Sequence, residues 1–190
     1  MQTLIRSASL EDLPFIQAIY AYHVIHGSAS FELEPPSLEE IRQRWEAVLM
    51  QGFPYVVVCI DDRPVGFAYA NLFRARPAYR FCMENSIYLD ESMRGKGLGT
   101  LLLKHLIADC EAIGARQMIA VIGDSANVAS IALHARCGFR FAGILRASGW
   151  KHGRWLDTVL MQASLGAGDL SPGYDRDPLI ASDGSSQTVR

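Results

Sequence analysis

No stretch of the 190 residues forms an unbroken apolar run of the ~20 that a membrane-spanning helix needs, although 49% of them are hydrophobic. Cysteine is scarce: Cys59, Cys82, Cys110 and Cys137 stand far apart, and no Cys/Cys or Cys/His pair has zinc spacing. The four are expected to be reduced thiols that serve as small apolar fillers. Neither sign of charge is in excess, with 18 Lys and Arg against 20 Asp and Glu and a net charge of −2. That balance gives no polycationic surface and speaks against bulk nucleic-acid binding. Residues 1–14 lack the basic start and apolar block of a secretion signal, so a cytoplasmic protein is expected. The length suits one domain with a sizeable core.

What the chain does carry is a strand, a turn and a glycine loop that opens a helix, over residues 84–106. Ser86-Ile87-Tyr88-Leu89 has the β-branched and aromatic character of a strand, and Asp90-Glu91-Ser92 is turn chemistry. Arg94-Gly95-Lys96-Gly97-Leu98-Gly99 follows and runs into helical residues from Thr100. Alternating glycines ahead of a helix leave backbone N–H groups uncovered. The helix start adds unpaired donors and a partial positive charge, and Arg94 and Lys96 add full charges. Such a loop suits an anion, above all a phosphate. The spacing of a Walker loop is not met, nor is the G-x-G-x-x-G of a dinucleotide site. Taken alone, the segment also reads as an ordinary glycine-rich turn with solvated charges.

Thr3-Leu4-Ile5-Arg6 reads as a short opening strand. Ser9 or Asp12 caps a helix through residues 15–20 that stops before Gly27, with His23 and His26 as surface or dipole-pairing histidines near its end. Pro35 and Pro36 close a non-helical loop that holds Phe31, which is either core or one wall of a substrate pocket. Ser37, with Glu40 three residues on, is a capping box for an amphipathic helix. Residues 55–60 form a strand buried on both faces, a turn follows at 61–64, and residues 65–70 return antiparallel. Residues 71–80 carry Arg74, Arg76 and Arg80 with Phe73 and Tyr79. This is either a solvated basic turn or a set of paired N–H donors for an anionic substrate group. Leu98, Leu102, Leu106, Cys110 and Ile113 mark one helix face, followed by a buried strand at 117–122 and a helix at 126–136 that Cys137-Gly138 ends. Residues 139–145 and 155–162 are strand-like, and 148–153 is a bend with two glycines. From Gly166 the composition turns to Gly, Ser, Pro and Asp, so a domain at 1–165 and a flexible or surface-draped tail at 166–190 are expected.

Arg94-x-x-Gly97-x-Gly99 resembles the pyrophosphate loop Q/R-x-x-G-x-G/A of the GNAT N-acetyltransferase superfamily. Asn127-x-x-Ser130-x-x-x-His134-x-x-x-Gly138-Phe139 resembles its second motif, N-x-x-S-x-x-x-[Y/H]-x-x-x-G-F. More narrowly, the segments at 27–37, 84–88, 120–124, 130–134 and 150–162 are similar to the phosphinothricin and methionine sulfone/sulfoximine N-acetyltransferases. The resemblance covers residues 2–163. It implies an α/β (α+β) fold with a mixed, mostly antiparallel sheet of about seven strands, flanked by helices and splayed between the fourth and fifth. It also implies acetyl-CoA as cosubstrate, no metal, a small amino acid analogue as acceptor, and a homodimer.

The same resemblance implies roles for residues. Gly95, Lys96, Gly97, Leu98, Gly99 and Thr100 would hold the pyrophosphate through backbone N–H groups, with charge from Arg94 and Lys96. Pantetheine would pair with the edge of Ile87, Tyr88 and Leu89, and an N–H near Leu89 would polarise the thioester carbonyl. Glu84 is the candidate general base, through a water, or else a strand-end surface carboxylate. Asn127 would contact the cofactor arm or simply cap its helix. His134 would protonate the leaving thiolate or help deprotonate the amine, or else be a packed helical histidine. Arg74 and Arg76, with Ala75 between them, would meet the acceptor's carboxylate or its tetrahedral sulfur or phosphorus group. Phe31, Asn85, Ser86 and Lys151 complete the substrate set, with Lys151 reaching the pocket from its own chain or from across the dimer, or else standing as a solvated turn lysine. Two other readings stay open: acetylation of peptides or other small amines, and an acyl-CoA-binding regulatory module without turnover. The arginines argue against a polyamine.

Overall fold

Strand β1 (Thr3–Ser7) is followed by helices α1 (Leu13–His26) and α2 (Leu38–Met50), strands β2 (Tyr55–Ile60), β3 (Arg63–Leu72) and β4 (Cys82–Leu89), helix α3 (Leu98–Ala112), strand β5 (Gln117–Gly123), helix α4 (Val128–Arg136), and strands β6 (Arg140–Lys151) and β7 (Arg154–Ser164). The structure is a computed structural model and describes residues 2–173. The seven strands form one sheet in the order β1-β2-β3-β4-β5-β7-β6. Every neighbouring pair is antiparallel except β4 with β5. This is the expected mixed sheet.

Local chemistry accounts for most boundaries. The Ser37 hydroxyl accepts from Glu40 N–H while the Glu40 carboxylate accepts from Ser37 N–H, the reciprocal pair expected at the start of α2. Asp61 and Asp62, both at positive φ, make the two-residue hairpin turn between β2 and β3. Leu98, Leu102, Leu106 and Cys110 are buried along α3, as their spacing predicts, and pack with the buried strands β2 and β3. Burial raises the Cys110 thiol to about 12, so it behaves as an inert filler.

Two expectations change, and the start of the tail is seen draped on the surface. The segment 148–153 is not a bend: β6 runs through Gly149 to Lys151, and His152-Gly153 alone makes the turn, both at positive φ. Gly149 lies within the strand because the Phe31 ring occupies the space of its side chain, a Cβ there falling 2.5 Å from the ring. His23 is not a surface histidine; it is buried, and its Nε2–H donates to the Leu89 carbonyl at 2.7 Å. Residues 166–173 fold back on the domain, with Arg116 donating to Ser171 Oγ at 2.9 Å and Gly173 seated on Phe81. The rest of the expected tail lies outside the described residues.

The pairing of β4 with β5 covers only Cys82–Asn85 against Gln117–Ala120. Beyond Asn85 and Ala120 the two strands part, and β4 continues to Leu89 paired with β3 alone. This is the expected splay. It is bridged on one side by residues 27–32, which are held down by the β6–β7 turn. Lys151 Nζ donates to Ser30 O at 2.7 Å and His152 Nε2–H to Gly27 O at 3.2 Å, while Ser28 O sits against Gly123. A Cβ at Gly123 would lie 2.3 Å from that carbonyl. Gly123→Ala is therefore expected to displace the loop, lowering unfolding free energy by about 1–3 kcal/mol and speeding amide hydrogen exchange at residues 28–32.

Candidate active site

Backbone parity decides what the splay exposes. Asp90 N–H donates to Val65 O, and Cys82 O accepts from Phe73 N–H, so even-numbered backbone groups of β4 point to β3. The odd-numbered groups point the other way: Phe81 O accepts from Arg116 and Gln117 N–H at the start of β5. Past Asn85 those groups, at Ile87 and Leu89, lose their strand partner and face open space. His23 takes the Leu89 carbonyl. The Ile87 and Leu89 N–H groups are left as donors for an extended ligand, as the resemblance implies.

Side chains alternate too, with period two. Glu84, Ser86 and Tyr88 share one face with their cross-strand partners Asn71, Tyr69 and Phe67. Tyr88 meets Tyr20 of α1 edge-on at 5.0 Å, and the Tyr69 hydroxyl bonds Ser86. Asn85 lies on the opposite face, where it meets His134 of α4. A cleft of about 420 Å³ brings both faces together at the splay, and Phe31, Glu32, Glu84, Asn85, Ser86, Asn127 and His134 line it. A second cavity of about 280 Å³, with Arg94 in its wall, shares Ala29 and Asn127 with the cleft and leads to the glycine loop.

At that loop Gly95 and Gly97 adopt positive φ, with nothing within 4 Å of where a Cβ would stand. Gly97 is the N-cap of α3, so Gly99 lies in the first helical turn and packs against Leu133 and Leu89. Among the described residues, the N–H groups of 95–99 donate to no protein acceptor. Thr100 N–H bonds Gly97 O at 3.1 Å, so the free set ends at Gly99. Five N–H donors without a protein acceptor, at the start of a helix, fit a diphosphate. Arg94 pairs with Glu91 at 2.9 Å, and Lys96 Nζ lies 3.3 Å from Met93 Sδ; both side chains are exposed.

Burial holds the Glu84 carboxyl above the usual carboxylate range, opposed by the charge of Arg74. His134 is 2% exposed, and burial lowers its proton affinity, opposed by its bond to Ser130 O. Asn127 Oδ1 accepts from Ser130 N–H at 3.2 Å, so it caps α4 as well as lining the cleft. Arg74, Ala75 and Arg76 are exposed and do not line the cleft; Arg74 lies over the Phe73 ring at 4.1 Å and donates to Phe73 O. Lys151 is 4% exposed rather than solvated, and in its own chain it braces the substrate-side loop.

Sequence reasoning missed His23 and the Glu32 network. Glu32 Oε1 accepts from Tyr20 OH at 3.0 Å and from Arg44 at 2.7 Å. The signal for Glu32 was faint, one of two acidic residues, with Glu34, in the loop that holds Phe31. Among the described residues no three His, Cys, Asp or Glu side chains group as a metal site, and no helix is long and apolar enough to cross a membrane.

The Arg94–Glu91 pair sets an internal carboxylate against an incoming anion. Glu91→Gln is expected to tighten coenzyme A about two- to fivefold at low salt, the scale of an exposed ion pair, with the gain fading as salt rises. Calorimetric titration at two ionic strengths checks it.

Comparison with known proteins agrees with this geometry. Residues 19–139 match the model of the acetyltransferase (GNAT) family. The chain is 52% identical to a phosphinothricin N-acetyltransferase of Alcaligenes faecalis over 161 residues, 85% of this chain and 82% of the relative. It is 40% identical to an L-methionine sulfoximine/L-methionine sulfone acetyltransferase of Pseudomonas paraeruginosa over 168 residues, 87% and 96% of the two chains. Among solved structures, a phosphinothricin acetyltransferase from Sinorhizobium meliloti in complex with AcCoA superposes with a TM-score of 0.89 at 45% identity, covering 92% of this chain and 95% of that one. With both motifs, the splayed sheet and these relatives in agreement, the chain belongs to the acetyltransferase (GNAT) family.

Proposed function

We infer that this protein is an acetyl-CoA-dependent N-acetyltransferase acting on the amino group of a small amino acid analogue of the phosphinothricin, methionine sulfone or methionine sulfoximine type. The observation that carries the reading is the cleft itself: a splay with free strand donors, joined to a loop of free donors, with the half-buried Glu84 carboxyl in its wall. The donors of residues 95–99 hold the diphosphate, and the Ile87 and Leu89 N–H groups pair with the pantetheine arm. When bound, acetyl-CoA supplies an activated acetyl group. Of the two strand donors, Leu89 N–H stays with the arm, while Ile87 N–H, nearer Glu84, is aimed at the thioester oxygen and stabilises the charge that develops there.

Glu84 takes one proton from the substrate ammonium, through a water, and the freed amine attacks the thioester carbon. The C–S bond breaks with its electron pair going to sulfur, and His134 returns a proton to that sulfur. Glu84 passes that first proton through the water to solvent and then takes a second from the attacking nitrogen, leaving the amide N–H, while His134 regains its proton from solvent. Arg74 and Arg76 guide the acceptor's anionic end towards Glu84, whose titration already feels Arg74. Phe31, Ser86 and the loop braced by Lys151 wall the acceptor.

Glu84 must be ionised to act. Its folded-state titration is raised, so activity is present above that value and falls as pH drops through it. Glu84→Gln is expected to lower kcat ~10²-fold with little change in KM for acetyl-CoA. In the same assays Arg74→Ala removes the charge that opposes the shift, so the acidic limb moves to higher pH and KM for the amino acid rises alone. Thiol release over a panel of amino acid analogues, peptides and polyamines reads all of this. Absence of turnover with every amine would leave an acyl-CoA-binding module instead.

The enzyme is further proposed to be a cytoplasmic homodimer. The support is an exposed apolar strip on edge strand β6 and its hairpin partner, where Trp150 and Trp155 pack edge to face at 5.2 Å beside Phe141 and Leu145. Sedimentation equilibrium should give twice the 21.0 kDa chain mass; a single-chain mass at micromolar concentration would reject it.

A further inference from the structure

Asn85 was expected to touch substrate, but both atoms of its amide are engaged inside the protein. Asn85 is 6% exposed and sits on the last paired rung before β4 and β5 part. Its Nδ2 donates to Ile119 O of β5 at 3.1 Å, and its Oδ1 lies 3.0 Å from His134 Nε2. On the far side of the ring, Nδ1 lies 2.8 Å from Ser130 O.

Counting donors along this chain leads to one conclusion. The carbonyls of Ile119 and Ser130, at its two ends, can only accept. The amide is oriented by the first, since flipping it would set Oδ1 against Ile119 O. Its carbonyl therefore faces the imidazole, and both ring nitrogens face oxygen acceptors. A neutral imidazole has one N–H; only the imidazolium has two. In the neutral ring one contact is lost, or Nδ1 turns to the Ser130 hydroxyl, 3.4 Å away.

Among the described residues, none contacts the ring with a countercharge. Phe139 packs edge-on at 5.0 Å, Glu84 of β4 projects from the other face, and no charged side chain shifts the ring's titration. Burial works against the imidazolium, while the two acceptors work for it. Replacing either acceptor would therefore tip the balance.

We propose that Asn85 is a positioning residue for His134. Locked by Ile119 O, it presents an acceptor to Nε2 and favours the two-donor ring that returns a proton to the leaving thiolate. This rests on the acetyltransferase reading above. Asn85 touches neither reactant in this role; it sets the ring's orientation and proton count.

The test is a ring-nitrogen NMR titration of the full chain, with His134→Gln used to assign the signals. Asn85→Asp keeps the acceptor and adds charge, so the His134 titration should move up by about one pH unit or more. Asn85→Leu removes the acceptor and should move it down by a similar amount. The alkaline limb of kcat should follow in the same direction, with KM for acetyl-CoA within about twofold. A His134 titration unmoved in both variants, or a kcat loss in Asn85→Leu without movement of that limb, would reduce Asn85 to a packing residue and overturn the proposal. If Asn85→Leu does not fold, Asn85→Asp alone decides by the same criterion. The NMR reading needs no turnover, so it stands or falls separately from the substrate assays.

Discussion

An unpaired backbone donor or acceptor inside a protein costs about as much as a lost hydrogen bond. A sheet whose central strands separate breaks that constraint, and much of this molecule can be understood as its consequence. After Asn85 and Ala120 each strand has an edge with no partner. Part of the deficit is repaired from within: His23 reaches across from α1 to the Leu89 carbonyl, and the Asn85 amide takes Ile119 O at the fork. What is not repaired, the N–H groups at Ile87 and Leu89, lies near the equally free donors of residues 95–99 at the start of α3. The same deficit in an ordinary sheet would be a folding error; here it is confined to a cleft that a ligand can fill.

The alternation of side chains along β4 then sorts the chemistry. Adjacent residues point to opposite faces, so Glu84 and Asn85 cannot serve the same side of the strand. Glu84 joins the aromatic face with Tyr69, Tyr88 and Tyr20, where the amine arrives. Asn85 and His134 occupy the face of α3 and α4. In the proposed mechanism, removing a proton from the amine and returning one to the thiol would thereby be kept on opposite sides of a single strand. A base and an acid placed in direct contact would exchange protons with each other instead.

Much of this was legible in the residues. The glycine loop announced free donors because glycine alone suits positive φ at positions 95 and 97, and the capping box at Ser37 and the apolar stripe of α3 follow local rules. What was not legible depends on neighbours distant in sequence. His23 reads as a helix-end histidine until β4 is known to end beside it. The glycine at 149 suggests a bend because nothing local reveals that Phe31, more than a hundred residues earlier, needs its space. The amide of Asn85 looked available to substrate because its partners lie on β5 and α4, and the arginines of the β3–β4 connection looked like pocket residues because sequence gives proximity along the chain, not direction.

The position of those arginines bears on how Glu84 stays basic. A guanidinium in direct contact with a buried carboxylate lowers its proton affinity, often by more than a pH unit, and would leave a poor base. Glu32 shows the alternative, since it is paired with Arg44 at 2.7 Å and bonded to Tyr20. Glu84 has no such partner. Arg74, the one cation that affects it, lies instead over the Phe73 ring, donating to that residue's carbonyl. At that remove its field is felt without a contact, and burial remains the larger influence. The separation of Arg74 from Glu84 leaves burial as the larger influence on that carboxyl, which is what a base acting on an amine would need.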